Sequence, residues 1–512
     1  GTSNPIIVRP FAFDIQVAAN AGSNNPAAQS ASGAVFMAAG APMTITSRAV
    51  AWQSGDDSNG NGVADQGEDI SGNSTTNNFI VNNATLTPGL VAPSGSSGGS
   101  LGSLSATFSG NFTAGENSFE TSYSEVGIIE LAVNTSDYLA VGVDIAGKAP
   151  YVGRFIPDHF TITEASNGEL AAYCDSTKET EATFAYTGQV LLDDDNSGSL
   201  LYKVIGITSV PVTNVPYVKL QARSAIDNIT KNYTGSFNKL TLSGFSRTTP
   251  TSDATTKDNS GSFVSLIADL SSAQLSDSDG EITYSFSADD NYYYERNINT
   301  EVNPFNADLD LTIETIEDDD GVEADDFNGT TNNGVVTLKP SGVDIRFGRV
   351  QLENSYGPET SDLVQNISVN YFKDDQYILS PDDQCTRFNS SNLSLVNIDL
   401  TNFDQTASPK IPAIDEVTDG SFINGSTSPI PNGQTRGKLL QLAAGNVGKV
   451  CIIYNVDEWL KYRWVNESPA QLQCAYVAAD RDQLLNDNPF GIASFGLFRG
   501  NDRIIYQREK FD

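Results

Sequence analysis

At 512 residues the chain is too long for one ordinary core, so two to four domains are expected. Hydrophobic residues make up 39%, with Gly, Ser, Thr, Asn and Asp filling the spaces between short apolar runs, the composition of many strands and many turns. The 64 acidic against 29 basic residues (formally −35) repel phosphate backbones and exclude nucleic acid as a natural partner. No run approaches the roughly 18 apolar residues of a membrane helix, so no membrane insertion by this chain is expected.

The opening residues, Gly1 to Pro5, read as the start of a trimmed or mature fragment and not as a signal peptide, with any export signal or anchor outside the chain. Phe11 to Val17 then alternates apolar and other side chains, as a strand with one buried face does. Next comes the strongest local motif, Asp57-Ser-Asn59-Gly-Asn61-Gly62-Val63-Ala-Asp65-Gln-Gly-Glu68. Counting from Asp57, oxygen-bearing side chains fall at positions 1, 3, 5 and 9, a glycine at 6 and a glutamate at 12, the ligand spacing of an EF-hand-type calcium loop. Ca2+ takes about 6–8 hard oxygens, and alternate residues of a tight loop can all point inward. Asp57, Asn59, Asn61, Asp65 and Glu68 would bind through side chains and Val63 through its carbonyl. The flanking helix pair is missing, so this is an EF-hand-like loop in a β setting.

The Gly/Ser tract Pro93 to Ser103 reads as a long surface loop inside the first domain, because strand-like Leu104 to Phe108 follows at once. A boundary is placed near Tyr151-Val-Gly-Arg-Phe-Ile-Pro157-Asp-His159-Phe, where a Pro-containing connector enters a new strand. Period-two patterns recur at Val218, Leu220 and Ala222; at Ile282, Tyr284 and Phe286; at Leu309, Leu311 and Ile313; and at Ile367, Val369 and Tyr371. Turn signals separate them at Tyr233 to Gly235, Asp279-Gly280 and Asp320-Gly321. Two weaker acidic clusters follow: Asp193 to Gly198 has the acids without the alternate ligand spacing, and Asp318 to Asp325 lies at an expected domain junction, where calcium commonly stiffens tandem β-sandwiches; a solvated acidic turn is the stronger reading for both. One short helix candidate, Asp457 to Trp464, has an acidic first turn. A terminal hairpin is expected, with Ala493 to Phe498 and Arg503 to Tyr506 flanking Arg499 to Asp502.

The whole reads as all-β, a string of tandem Ig-like β-sandwiches with few short helices: residues 1–150 with the calcium loop, 151–333, and 334–512. The four cysteines are too far apart for a zinc site and fit two disulfides in an oxidising compartment. Three pairings are possible. The short spacing of Cys451 and Cys474 favours that pair and leaves Cys174 with Cys385. Enzyme signatures are poor. The single histidine, His159, sits at a connector and suits a structural hydrogen bond better than a triad. No glycine loop has the setting that binds phosphate, and Trp is scarce for a polysaccharide cleft. The aromatic run Tyr292 to Tyr294 could stack on sugar rings, but alternation favours sheet packing.

Four segments together carry a family resemblance: Ile7 to Asp14, Tyr151 to Phe160, Arg346 to Glu359 and Ala493 to Tyr506. They resemble the large C-terminal region of MshQ-like proteins of the MSHA type IV pilus biogenesis system of Gram-negative bacteria. The resemblance spans nearly the whole chain. It implies a stalk or tip region of a pilus-associated adhesin, exported through the periplasm to the cell surface, with minor pilins or the pilus tip as partners; the loop at Asp57 to Glu68 adds the expectation that calcium stabilises it. The resemblance offers no catalytic residues to transfer. A lectin-like module often precedes this region in the family and is not found here, so its sugar binding is not carried over. The alternative is a carbohydrate-binding surface module that itself engages extracellular glycans.

Overall fold

The computed structural model describes residues 8–60, 62–64, 68–107, 111–140, 142–174, 181–189, 200–205, 212–252, 258, 260–325, 334–358, 363–383, 385–388, 392–401, 428–429, 434–440, 447–464 and 487–496. The fold is all-β, and its sheets fall in three consecutive blocks along the chain.

In the first block, the strand foreseen from Phe11 onward runs Ala12–Ala19 and pairs with Met43–Val50, which pairs in turn with Glu116–Thr121. A second sheet orders Met37–Ala38, Ile145–Ile156, Gly127–Thr135 and Thr85–Ala92. Alternation does the rest. Phe13, Val17, Met43 and Ile45 from one sheet and Leu86, Ile129, Leu131, Val133 and Ile145 from the other close one apolar core. The sheets approach closely at Gly147, where a Cβ would stand 2.0 Å from the Phe13 carbonyl oxygen.

The second block packs three sheets around a shared core. Val218, Leu220 and Ala222 of strand Tyr217–Arg223 are fully buried, flanked on the same sheet by Phe160, Ile162, Ile282 and Tyr284 of the neighbouring strands. Strands Gln274–Ser278 and Glu281–Ser285 are joined by Asp279-Gly280, with φ of 51° and 78°. Both residues are left-handed, which is what a two-residue hairpin compatible with strand twist demands. The Tyr292 to Tyr294 run is sheet packing: Tyr292 and Tyr294 are buried in strand Asn291–Tyr294.

In the third block Gly348–Leu352, Leu363–Lys373, Gln376–Leu379 and Gln434–Leu440 form one sheet. The other comprises Ser355–Gly357, Phe490–Phe495, Val447–Tyr454 and Leu393–Thr401. Val350, Ile367, Val369, Ile452 and Ala493 share their core. The helix expected over Asp457 to Trp464 is a single 3-10 turn, Glu458–Leu460. Trp459 and Leu460 are drawn into the core there, and the chain leaves extended so that Tyr462 and Trp464 pack elsewhere. Of the terminal hairpin, the strand Phe490–Phe495 is seen; Phe498 and Arg503 to Tyr506 lie outside the described residues.

Connectors between blocks are short. Only Pro157 and Asp158 separate strand Ile145–Ile156 from His159–Ser166, and only Phe347 separates Ser341–Arg346 from Gly348–Leu352. The second-block core also continues across both: Val126 and Ile128 join it from the first block, and Phe372, Tyr462 and Trp464 from the third. Connectors this short leave little room for hinge motion, and the shared core opposes it further. The Gly/Ser tract is a surface loop with a 3-10 turn at Gly95–Ser97, but its far end is clasped by the second block.

Candidate functional site

Of the six expected calcium ligands, Asp57, Asn59, Val63 and Glu68 lie in the described loop, while Asn61 and Asp65 lie outside the described residues. Gly62 has φ 79°, the left-handed conformation its position requires. Asp57 Oδ2 accepts the Gly62 N–H at 2.7 Å, and Arg9 Nη2 donates to the Gly62 carbonyl at 2.8 Å. The loop's base is held by a residue that ligand spacing passes over. Asp56 is buried and accepts from the Gln53 N–H (2.8 Å) and from Asn73 Nδ2 (2.7 Å). The acidic cluster Asp193 to Gly198 lies outside the described residues.

The cluster Asp318 to Asp325 is only in part the solvated turn that its composition indicates: Asp319, Glu323 and Asp325 are exposed, but Asp318 is buried and Asp320 half-buried. Arg154 grips Asp320 with both terminal nitrogens, at 2.5 and 2.7 Å, while its Nε donates to the Gly33 carbonyl at 2.9 Å. Arg154 is only 4% exposed, so this is a buried, bidentate pair joining the first block to the second. Asp318 accepts from the Asp320 and Val322 N–H groups and from Tyr233 Oη, the last at 2.7 Å. Burial lifts the Asp318 carboxyl above its usual range. The reason is geometric: the turn faces the neighbouring block, so protein donors take the place of water. Beside it, Glu125 accepts from three backbone N–H groups, of Val126, Lys231 and Asn232, at 2.9 to 3.1 Å. Asn232 in turn bonds Ser100 and the Val126 carbonyl. His159 bonds Asp158 through Nδ1 at 3.0 Å, with Asp227 and Asp325 3.3 and 3.7 Å from Nε2. This is the structural role expected for it.

These buried carboxylates set a pH dependence. Burial raises Glu125 and Asp318, and pushes Asp290 and Asp457 up to about 6. A carboxyl raised in the folded state binds its proton more tightly there than in the unfolded chain. Its destabilising contribution is therefore full above the raised value and disappears as pH falls toward the usual carboxylate range. Acidification also relieves the self-repulsion of 64 acids. The melting temperature should thus rise by a few degrees between about pH 7.5 and about pH 5. It should fall again in stronger acid, where carboxyls held low, such as Asp382 beside Arg346, take up protons. Differential scanning calorimetry across that range tests this; a steady fall from neutral pH to about pH 5 would contradict it.

The second junction is covalent as well as polar. Cys174 of the second block and Cys385 of the third form a disulfide, Cα atoms 4.8 Å apart, as the cysteine spacing led one to expect. Cys451 is buried; its expected partner Cys474 lies outside the described residues. Arg296 lies over the Phe347 ring at 3.9 Å and donates to the carbonyls of Gly348 and Lys461 at 2.6 and 2.7 Å. Burial draws its pKa down to about 10, still charged at neutral pH. Arg346 pairs bidentately with Asp382 and lies over Phe184. Arg349 sits among Tyr377, Tyr462 and Trp464, 3.4 to 4.8 Å from the three rings. Tyr186 of the second block donates to Asp383 of the third at 2.9 Å.

None of these arginines was singled out as a candidate, yet a signal was present. Gly153-Arg154-Phe and Gly348-Arg349-Val place a cation between apolar residues, in a chain with 29 basic residues, beside each connector. Buried charges without partners are too costly to persist, so such cations mark acidic or aromatic partners brought from elsewhere.

The second block also carries a cleft of about 500 Å3, close to the second junction. Asp258, Glu295, Asn297 and Thr300 supply polar groups, Phe347 supplies apolar surface, and Phe263 stands 57% exposed at its side. Thr300 Oγ1 donates to Asp258 Oδ2 at 2.9 Å, which fixes one carboxylate oxygen.

The chain matches three successive domains described under DUF6701: the second over residues 9–122, the third over 125–341 and the fourth over 346–510. No curated protein matches it. Among solved structures it is similar to FdeC, described as a broadly conserved Escherichia coli adhesin, at 11% identity and a TM-score of 0.31, covering 88% of this chain and 95% of that one. It is also similar to invasin, described as a bacterial integrin-binding protein, at 10% identity and a TM-score of 0.20, covering 87% of this chain and 57% of that one. The all-β architecture stands on the strands themselves.

Proposed function

Because this chain is a DUF6701 multi-domain protein, matched over the second, third and fourth domains, we propose that it forms the rigid stalk or tip region of a type IV pilus-associated adhesin on the bacterial surface. In this reading it is not an enzyme: it acts in attachment or pilus assembly, with minor pilins or the pilus tip as partners. The observation that supports it is the construction of the two junctions. One- and two-residue connectors, a shared core, the Arg154–Asp320 pair and the Cys174–Cys385 bridge fix the blocks in one arrangement. A protein that must present a surface away from the cell needs that stiffness, whereas a catalytic protein more often invests in a closing cleft. Immunogold electron microscopy on the source bacterium tests this. Label at pilus tips supports the reading, and label confined to the envelope redirects it to assembly machinery.

Calcium belongs to the proposal. Asp57, Asn59, Asn61, Val63, Asp65 and Glu68 would hold one Ca2+ and brace the loop against the first block. Calorimetric titration should show a single calcium event in the native chain and none in the Asp57→Ala/Glu68→Gln variant. Chelation should lower the melting temperature by several degrees. Equal uptake by the double variant, or no shift on chelation, removes calcium from the reading.

A second reading, a carbohydrate-binding surface module, is supported by the cleft beside Phe263. An exposed ring next to carboxylate and amide groups is the chemistry that packs on a sugar face and bonds its hydroxyls. A glycan array with the native chain and a Phe263→Ala variant separates it from a passive stalk.

A further inference from the structure

We propose that the Cys174–Cys385 disulfide is a load shunt: it takes tension applied along the chain past the second block, so that the cleft beside Phe263 never lies in the path of force. The inference uses the tension that a surface stalk experiences, but its physical content is connectivity alone.

The bridge joins residues 211 apart in sequence across Cα atoms only 4.8 Å apart. When the chain is pulled from its two ends, force enters the bridge at Cys174 and leaves at Cys385. Everything from residue 175 to residue 384 hangs from it as a closed loop and contributes no length. That loop contains most strands of the second block, including Tyr217–Arg223, Glu281–Ser285 and Phe305–Ile316, while His159–Ser166 and Leu170–Tyr173 lie ahead of the bridge. It also contains every residue lining the cleft, from Thr187 to Phe347.

The bridge is protected as well as placed. Cys174 is 2% and Cys385 9% exposed. Cys385 N–H bonds Asp383, which Tyr186 and Thr386 also hold, so the third-block end of the bridge is anchored to the second block by side chains as well as by sulfur. A small thiol must pass this packing to reach the sulfurs. Under load the first block, the strand His159–Ser166 and the chain beyond Cys385 carry the tension. They can yield while the segments that form the cleft are not themselves pulled.

The consequence is a length. A stretched chain spans at most about 3.3–3.6 Å per residue, so removing the bridge should release roughly 70 nm of additional extension from the 211-residue loop. Single-molecule stretching of the full chain, held by its two ends, measures this directly. The native chain should reach its final extension roughly 70 nm short of the Cys174→Ser/Cys385→Ser variant. Because that variant could fold poorly, the native chain held under constant load while a reductant is added provides a second measurement. It should lengthen by the same amount in one step, apart from any smaller gain at Cys451. Equal final lengths for native chain and variant, or no step once thiol labelling shows Cys174 and Cys385 reduced, would overturn the shunt. Either result leaves the pilus reading to its own test, since immunogold labelling does not depend on which residues bear force.

Discussion

Replacing Arg154 by alanine should cost about 3–5 kcal/mol in the transition that unfolds the first two blocks, the range for breaking one half of a buried ion pair. The size follows from what is left behind. Asp320 would lose both donors at 2.5 and 2.7 Å, and the Gly33 carbonyl a third, in a place that water reaches poorly. Asp320→Ala should be comparably harmful, because it strands the guanidinium. The double substitution Arg154→Met/Asp320→Leu should recover most of the loss, since apolar replacement of both partners removes the desolvation cost along with the attraction. Urea unfolding of these variants beside the native protein, with Arg154→Met and Asp320→Leu singly to complete a double-mutant cycle, measures the coupling, and small-angle scattering would register any loosening between blocks. Single variants within about 1 kcal/mol of the native protein would mean that the pair behaves as a surface ion pair and does not cement the junction.

The disulfide should matter as much. Closing a 211-residue loop removes chain entropy from the unfolded state worth about 5 kcal/mol at room temperature on the loop-closure account. Cys174→Ser/Cys385→Ser should therefore shift the urea midpoint of the second and third blocks strongly downward, and reductant should do the same to the native chain. A loss below about 1 kcal/mol would show that the unfolded chain is already compact around this contact, and the entropic argument would fail. The two perturbations act on different junctions, so their effects should add.

Local pattern carried far in this chain. Alternation at Val218, Leu220 and Ala222 named a strand, a face and a set of core residues, because the period of a strand is two and one face meets the core. Asp279-Gly280 named a turn, and the structure makes it a hairpin, because few residue pairs tolerate left-handed backbone twice in succession. The helix at Asp457 failed for the opposite reason. An acidic first turn is a weak local preference, and burying Trp459, Leu460, Tyr462 and Trp464 on different neighbours outweighs it. The acidic turn at Asp318 misled in the same way: composition records charge but not what a folded neighbour will place opposite it.

What the sequence by itself determined was the class of the molecule: an acidic, all-β chain of successive strand-built blocks with an even count of widely spaced cysteines and a loop with calcium-ligand spacing at Asp57 to Glu68. Those properties live in nearest neighbours, periodicities and counts, which the linear chain states outright. Only the tertiary structure decided how the blocks are joined. Arg154 meets Asp320 from 166 residues away, Tyr186 meets Asp383 from 197, and Glu125 reaches the backbone of Asn232 from 107. Contacts of that range depend on how whole sheets dock, and no local pattern encodes the partner of a buried charge; it shows only that, once buried, the charge must have one.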